Sequence, residues 1–216
     1  MALLVELSGE VPGMARQEAL ATASMLAGEE ARALAEDGPA LLLDCGGVQA
    51  EELARRLGLA HHVSDRAVSG DVDSAAQLAA GVDIGGAASF RVRVRRTDLA
   101  PRLQGPDRLE ARVGDLVREG TGARVDLVGP EAEVRLVLAG RAYAGLLGGS
   151  VDRRGLEARA VKHRPFSHPI SLHPKFARAM VNLAGLSPGG RVLDPFCGTG
   201  GILIEACLLG YEAMGS

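Results

Sequence analysis

Tryptophan is absent from this sequence, aromatic residues make up only 3%, and cysteine occurs three times. The scarcity of rings argues against a protein that reads single-stranded nucleic acid by stacking bases on exposed aromatics. Cys45, Cys197 and Cys207 cannot all pair with one another and lack metal-ligand spacing, so we expect reduced thiols in a cytoplasmic protein. We find no signal-peptide pattern and no apolar run of membrane-spanning length.

The net charge of −3 hides an uneven distribution along the chain. Residues 1–88 contain 5 basic and 14 acidic side chains, whereas residues 89–141 contain 11 and 8. Residues 142–178 contain 7 and 2, and residues 179–216 contain 1 and 3. The basic middle, in which arginine supplies nearly all the charge, indicates a polyanionic partner, with a solvated basic surface as the alternative.

Hydrophobic periodicity predicts an α+β fold for the first 150 residues. The first part shows the order β–α–β–α–β that is typical of a small ferredoxin-like domain. Its predicted elements are strands at 3–7, 40–43 and 61–64 and helices at 14–36 and 50–57. The second part has predicted helices at 71–81 and 109–117 and predicted strands at 89–96, 125–128, 133–138 and 140–147.

The segment from Ser89 to Arg96 is the clearest strand in the chain. Phe90, Val92 and Val94 fall on one face, and Arg91, Arg93 and Arg95 fall on the other. These arginines, together with Arg96, can line an RNA-binding surface, because guanidinium groups pair well with phosphate. The alternative is the solvent face of an edge strand, where charge prevents aggregation.

Residues 151–171 contain few helix formers and are predicted to be a basic connector. Their cations are the stronger candidates for RNA contacts: Arg153, Arg154, Arg159, Lys162 and Arg164. His163, His168 and His173 recur every five residues, but the spacing does not suit helical metal ligands and the intervening prolines prevent a continuous helix. We therefore predict no metal site.

Beyond the connector, the pattern predicts a helix at 174–183, a buried strand at 191–194 and a helix at 202–209. A glycine-rich loop joins that strand to that helix, the position at which open α/β sheets bind ligands. The dinucleotide fingerprint fails because Leu203 stands where its third glycine should be, and no Gly-Lys-Ser/Thr follows. The carboxylate of Asp194 would repel a pyrophosphate but suits the ammonium of S-adenosylmethionine, whose carboxylate the next helix N-terminus can take. The predicted cofactor-binding residues are Asp194, Pro195, Phe196, Cys197, Gly198, Thr199 and Gly200.

The segment from Val192 to Ala206 resembles motif I of RNA and DNA amino-methyltransferases. The stretches His168–Pro174 and Met180–Ala184 are similar to the segment before that motif in archaeal tRNA (guanine, N2) methyltransferases. The resemblance implies S-adenosylmethionine-dependent methylation of the guanine at tRNA position ten, and a THUMP domain that grips the acceptor end of the tRNA. It is specific over 162–216 and only architectural over 1–150.

The resemblance also implies a division into four parts. We expect a ferredoxin-like domain at 1–68, a THUMP RNA-binding domain at 69–150, the basic connector at 151–171, and the incomplete start of a Rossmann-like methyltransferase domain at 172–216.

The sequence departs from this family in two respects. It contains no Pro-Pro pair, although the family's catalytic element is an acid or amide followed by Pro-Pro and an aromatic residue. It also ends at Gly215 and Ser216, where the resemblance implies a second strand with an acidic residue for the ribose hydroxyls. We therefore assign no catalytic residue and expect the 216-residue chain to be a fragment that lacks methyltransferase activity and binds S-adenosylmethionine weakly. The alternatives are a non-catalytic RNA-binding protein and a ribosomal-RNA or DNA amino-methyltransferase.

Overall fold

The computed structural model describes residues 2–101, 107–164 and 171–216. Its first part has the order β–α–β–β–α–β, with strands arranged antiparallel as β2-β3-β1-β4. Alternate residues Leu3, Val5 and Leu7 turn to the side of the two helices and are buried in a core with them. The elements are β1 (Ala2–Leu7), α1 (Pro12–Ala27), β2 (Arg32–Asp37), β3 (Ala40–Asp44), α2 (Ala50–Arg56) and β4 (Ala60–Gly70).

The predicted helix over 14–36 is wrong in its second half. Helix α1 ends at Ala27 because Gly28 takes the left-handed conformation, with φ 70°. Residues Arg32–Asp37 then form β2, which pairs with β3. The local composition favours a helix, and the ladder of hydrogen bonds to β3 outweighs that preference.

The second part continues the same sheet and packs α3 and α4 against it. Strand β5 runs parallel to both β6 and β7, and β8 joins the two parts because it pairs with β7 on one side and β4 on the other. The expected boundary after residue 68 falls inside β4. The elements are α3 (Ala75–Ala80), β5 (Ser89–Arg96), α4 (Asp107–Thr121), β6 (Arg124–Val125), β7 (Ala132–Leu138) and β8 (Ala142–Ser150). Of the strand predicted at 125–128, only Val125 lies in a strand, which is β6.

On the face of the eight-stranded sheet that carries no helices, side chains of its first and second parts pack together. Leu4 and Leu42 from the first part pack there with Val137 and Tyr143 from the second. The backbone N–H of Arg141 donates to Oδ2 of Asp37 at 2.7 Å and closes the contact at the rim. This inner face is consequently a second buried layer.

The last part adds a two-stranded parallel sheet with a helix between its strands. The connector is not free of structure: residues 153–158 form a short helix, because the carboxylate of Asp152 caps it by accepting from the N–H of Gly155 and Leu156 is buried. The elements are α5 (Arg153–Ala158), α6 (Pro174–Leu183), β9 (Arg191–Asp194), α7 (Gly201–Leu208) and β10 (Glu212–Gly215). Strand β9 was predicted to be buried, but Leu193 is 69% exposed because β10 is its only sheet neighbour in the described part of the chain.

Helix α6 docks against the first part through buried polar contacts. Both carboxylate oxygens of Glu18 accept hydrogen bonds, from the N–H groups of Gly58 and Leu59 at 2.7 and 2.8 Å and from Nδ2 of Asn182 at 2.8 Å. Gly58 lies so close to α6 that a Cβ atom on it would stand 2.3 Å from the carbonyl oxygen of Lys175. The position therefore requires glycine for the close approach of two backbones.

Replacing Gly58 by alanine is expected to destabilise the fold by about 1–3 kcal/mol, because the methyl group must push α6 away from the loop before β4. Urea denaturation measures the change. Gly47→Ala is the matched control, since nothing lies within 4 Å of a Cβ at that position, and it should change stability by no more than about 0.5 kcal/mol. Equal effects of the two substitutions would contradict the close-approach argument.

Candidate functional site

Hydrogen bonds within the loop between β9 and α7 fix its conformation. The carboxylate of Asp194 accepts from the N–H of Phe196 at 3.1 Å, and the N–H of Gly200 donates to the carbonyl of Cys197 at 2.8 Å. Gly198 and Gly200 have φ values of 51° and 72°, which only glycine adopts readily. Among the residues that the structure describes, no side chain caps α7, so its first N–H groups can meet an anionic ligand.

A cavity of about 460 Å³ lies over this loop. Five of the seven predicted cofactor-binding residues line it: Asp194, Phe196, Cys197, Gly198 and Thr199. Pro195 and Gly200 shape the loop but are not in the lining. Phe196 is 91% exposed, so its ring is available to a ligand.

Four further residues line the cavity without having been predicted: Ser171, Leu172, Gly201 and Ile202. The Thr199 hydroxyl donates to that of Ser171 at 3.0 Å and ties the loop to the segment before α6. The only signal for Ser171 and Leu172 in the sequence was the family resemblance of the stretch that contains them. The residues fit an S-adenosyl ligand in charge and shape: an acid at the strand end, a free helix N-terminus and open space above two glycines.

A buried ion pair cluster anchors the helix that follows the loop. Glu205 of α7 is completely buried, and its carboxylate accepts from Nε of Arg159 at 2.8 Å and from Nε of Arg178 at 2.8 Å. Arg178 is itself 9% exposed and also donates to the carbonyl of Arg55 in the first part. The orientation of α7, and with it the loop, is therefore set by α5, α6 and α2 together.

The arginines predicted to bind RNA on β5 have carboxylate partners within the chain. Arg91 pairs with Glu133 at 2.5 Å, and Arg93 lies 3.8 Å from Glu110. Burial alone would raise the pKa of Glu133, but hydrogen bonds from Arg135 and Arg91 hold it below its usual value. Arg91 is therefore committed to this network more strongly than to solvent.

Arg95 reaches the same network less closely. Its Nη1 is 3.4 Å from Oε2 of Glu6, whereas Arg135 binds both oxygens of that buried carboxylate at 2.5 and 3.0 Å. Strand β6 covers only Ser89 and Phe90 of β5. The end of β5 that carries Arg95 is thus an edge of the sheet.

The connector cations are divided between structural partners and solvent. Arg159 is held by Glu205, and Nε of Arg164 donates to the carbonyl of Arg159 at 2.8 Å. Lys162 pairs with Glu157 at 2.5 Å, and this hydrogen bond together with one from His173 lowers the pKa of Glu157 to about 2. Arg153 and Arg154 are exposed and remain available to a partner.

The three regularly spaced histidines do different things. The ring of His173 caps α6 by accepting from the N–H of Lys175 at 3.3 Å, and it lies 3.2 Å from Glu157. His163 is exposed, and His168 lies outside the described residues. In residues 2–101, 107–164 and 171–216, no group of three or more His, Cys, Asp or Glu side chains could hold a metal ion.

Across the same ranges, no helix has the length and apolar character needed to cross a membrane.

Comparison with known families defines the class first. Residues 162–215 match the family described as RMKL-like, methyltransferase domain, and this stretch contains the loop and most of the cavity lining. This stretch of the chain is therefore similar to a methyltransferase domain.

Over nearly its whole length the chain is related to tRNA guanine-N2 methyltransferases. It is 40% identical over 172 residues to the tRNA (guanine(10)-N2)-dimethyltransferase of Methanothermobacter thermautotrophicus, a match that covers 76% of this chain and 49% of the relative. It is 33% identical over 212 residues to the enzyme of the same name from Pyrococcus abyssi, covering 98% of this chain and 62% of the relative. A tRNA (guanine(6)-N2)-methyltransferase from Thermus thermophilus is 36% identical over 164 residues, covering 72% and 47%. The predicted resemblance to archaeal tRNA guanine-N2 methyltransferases is thus confirmed, and the chain spans about half to three fifths of the length of these relatives.

Solved structures show the same arrangement of elements. TrmN from Thermus thermophilus superposes with a TM-score of 0.60 at 28% identity, covering all of this chain and 64% of that one. SMU.472, a putative methyltransferase complexed with SAH, superposes with a TM-score of 0.51 at 18% identity, covering 97% and 55%. The mixed α/β fold with its large mixed sheet is therefore shared with methyltransferases.

Replacing Asp194 by asparagine is expected to weaken S-adenosylmethionine binding about tenfold, the loss of about one charge-assisted hydrogen bond. NMR titration of the amide signals of Gly198 to Gly201 measures this even when binding is weak. Glu212→Gln, which removes an exposed carboxylate from the neighbouring strand, is the control and should leave the affinity unchanged. An unaltered affinity in Asp194→Asn would show that the carboxylate does not contact the ligand.

Proposed function

We propose that this chain is the tRNA-binding part and the start of the cofactor site of an enzyme that methylates N2 of a guanine in tRNA, with S-adenosylmethionine as donor. The observation that carries the proposal is the open glycine loop after β9, with its acid and its uncapped helix, inside the stretch that matches a methyltransferase domain. The relatives named as tRNA guanine-N2 methyltransferases support the substrate class.

We propose that the chain has the four parts that the family resemblance implies. The β–α–β–β–α–β unit with strand order β2-β3-β1-β4 supports a ferredoxin-like domain at 1–68. Residues 69–150 would be the THUMP domain that holds RNA, 151–171 the connector, and 172–216 the start of a Rossmann-like domain. A tRNA substrate and free cysteines, of which Cys45 is buried, support a cytoplasmic location.

Within this site the residues of the chain bind and align. S-adenosylmethionine supplies an electrophilic methyl group when it is bound. Asp194 would hold the ammonium, and the N-terminus of α7 would hold the carboxylate. Because methyl transfer is an in-line displacement, the loop contributes chiefly by alignment. The target guanine must leave its stack to reach such a loop.

Methyl transfer by the gene product that contains residues 1–216 tests the proposal. Radiolabelled S-adenosylmethionine is supplied with tRNA, ribosomal RNA or DNA, and nucleoside mass spectrometry identifies the product. We expect N2-methylguanosine or its dimethyl form in tRNA, lost when the guanine at position ten is replaced. Labelling of ribosomal RNA or DNA alone, or binding of tRNA without any labelling, would overturn the proposal in favour of an amino-methyltransferase of another substrate or a non-catalytic RNA-binding protein.

A further inference from the structure

A second cavity, of about 410 Å³, lies between the turn after β1 and the end of β5. Ser8, Gly9 and Pro12 line it on one side, and Arg95, Arg96 and Thr97 line it on the other. We propose that this cavity binds a backbone phosphate of the RNA substrate, with Arg95 and Arg96 as its cations. The inference rests on the proposed function for the identity of the RNA, and it locates a contact that is separate from the cofactor loop.

Both arginines have hydrogen-bonding capacity left over. The 3.4 Å separation between Arg95 and Glu6 is long for a charge-assisted hydrogen bond, and Arg135 already satisfies that carboxylate. Nε of Arg96 has no acceptor among the described residues. These two side chains therefore differ from Arg91 and Arg159, whose guanidinium groups are bound at short distance by buried carboxylates.

The other side of the cavity is also suited to an anion. Pro12 is at the first turn of the 16-residue helix α1, which has no acidic residue in that turn and, among the described residues, no side-chain cap. Glu10, just before the helix, is paired with Lys175, so the positive end of the helix dipole faces the rim. The Ser8 hydroxyl, which accepts from the N–H of Glu10 at 3.4 Å, keeps its own proton free to donate. Asp98 also lines the cavity, and its single negative charge leaves the two arginines in excess.

The positive charge extends from the cavity toward the connector. Nδ1 of His61 lies 3.3 Å from Nη1 of Arg153, and the next residue, Arg154, is exposed. Burial, followed by the charges of Arg95 and Arg153, lowers the pKa of His61 to about 4. The charge of His62 also lowers the pKa of His61, and the charge of Glu6 raises it. A row of cations therefore leads from Arg95 past a neutral His61 to α5, a path along which an RNA backbone can lie.

Affinity for tRNA, measured by filter binding over a range of salt concentrations, tests the site. We expect Arg96→Gln and Arg95→Gln each to weaken binding about five- to twentyfold, and to reduce the steepness of the salt dependence by about one counterion. Arg96→Glu should weaken tRNA binding further. If Arg95→Gln disturbs the contact with Glu6, the two Arg96 variants alone decide the test. Arg55→Gln, an exposed arginine on α2, is the matched control and should change affinity less than twofold.

Proton NMR of His61 distinguishes RNA from a free anion. Bound tRNA should raise the pKa of His61, because a phosphate near Arg95 offsets the positive field, while inorganic phosphate at the same ionic strength should not compete with tRNA. Unchanged tRNA affinity in Arg96→Gln and Arg96→Glu, or displacement of tRNA by millimolar inorganic phosphate, would overturn the inference. If methyl transfer to tRNA fails while these variants still lose tRNA affinity, the proposed function falls and the phosphate site stands.

Discussion

Replacing Glu205 by alanine is expected to lower the free energy of unfolding by about 3–5 kcal/mol, the usual result of removing one partner from a buried ion pair. The carboxylate is completely buried and binds two arginines, of which Arg178 is 9% exposed. Without it, the Arg178 guanidinium is left buried, and in the part of the chain that the structure describes only the carbonyl of Arg55 accepts from it. Guanidinium chloride denaturation followed by circular dichroism measures the change.

Two comparisons separate this charge effect from the loss of side-chain volume. Glu212→Ala removes an exposed glutamate and should cost no more than about 0.5 kcal/mol. Combining Glu205→Leu with Arg178→Leu should recover part of the lost stability, because the buried Arg178 charge is removed with its partner and the half-buried Arg159 can turn toward solvent. A double variant as unstable as the sum of the single variants would contradict the account.

The second large effect is a pH dependence of stability that comes from Glu18. Burial raises the pKa of this carboxyl to about 7, even though hydrogen bonds from Gly58, Asn182 and Leu59 act in the opposite direction. Between the ordinary glutamate pKa of 4.5 and about 7, the folded protein therefore binds more protons at this site than the unfolded chain does. The contribution of Glu18 to the free energy of unfolding is fully present below pH 4.5 and is lost as the pH rises through 7. The shift corresponds to about 3 kcal/mol.

Denaturation of the wild type and of Glu18→Gln at several pH values isolates this contribution. The pKa of His61 is lowered to about 4, so this group increases the free energy of unfolding as the pH rises, opposite to Glu18. The pH dependence of the wild type therefore contains both contributions. The difference between the two proteins cancels the histidine. We expect the stability advantage of the wild type to shrink by about 3 kcal/mol from pH 4.5 to pH 7. A difference that is constant over this interval would show that Glu18 stays ionised.

Several elements could be predicted because their signals are local. The alternation in Ser89–Arg96 predicted β5, and the structure buries Phe90 and Val92 while Arg91, Arg93 and Arg95 lie on the other face. The spacing around Gly198 and Gly200 predicted a strand, a loop and a helix, which are β9, the cavity loop and α7. Short-range periodicity and glycine spacing depend on neighbouring residues only, so they can be read without the fold.

Other features depend on residues that are distant in sequence. The strand β2 was taken for a helix because its pairing with β3 is a tertiary contact that local composition does not reveal. The roles of the arginines were likewise hidden, since Glu205 is 46 residues from Arg159 and Glu6 is 129 residues from Arg135. The sequence alone does not show whether a basic side chain pairs with a buried carboxylate or binds a phosphate.

The chemistry of the loop could be predicted from local sequence: an acid at the end of a strand, glycines that permit positive φ, and the start of a helix. Which cations remain available depends on the folded chain. The pairing of the strands and the docking of α6 and α7 place Arg91 and Arg159 beside buried carboxylates, and they leave Arg95, Arg96, Arg153 and Arg154 at a cavity or a surface. The physical reason is that a buried charge must be paired, and only the folded chain specifies which carboxylate is close enough to pair with it.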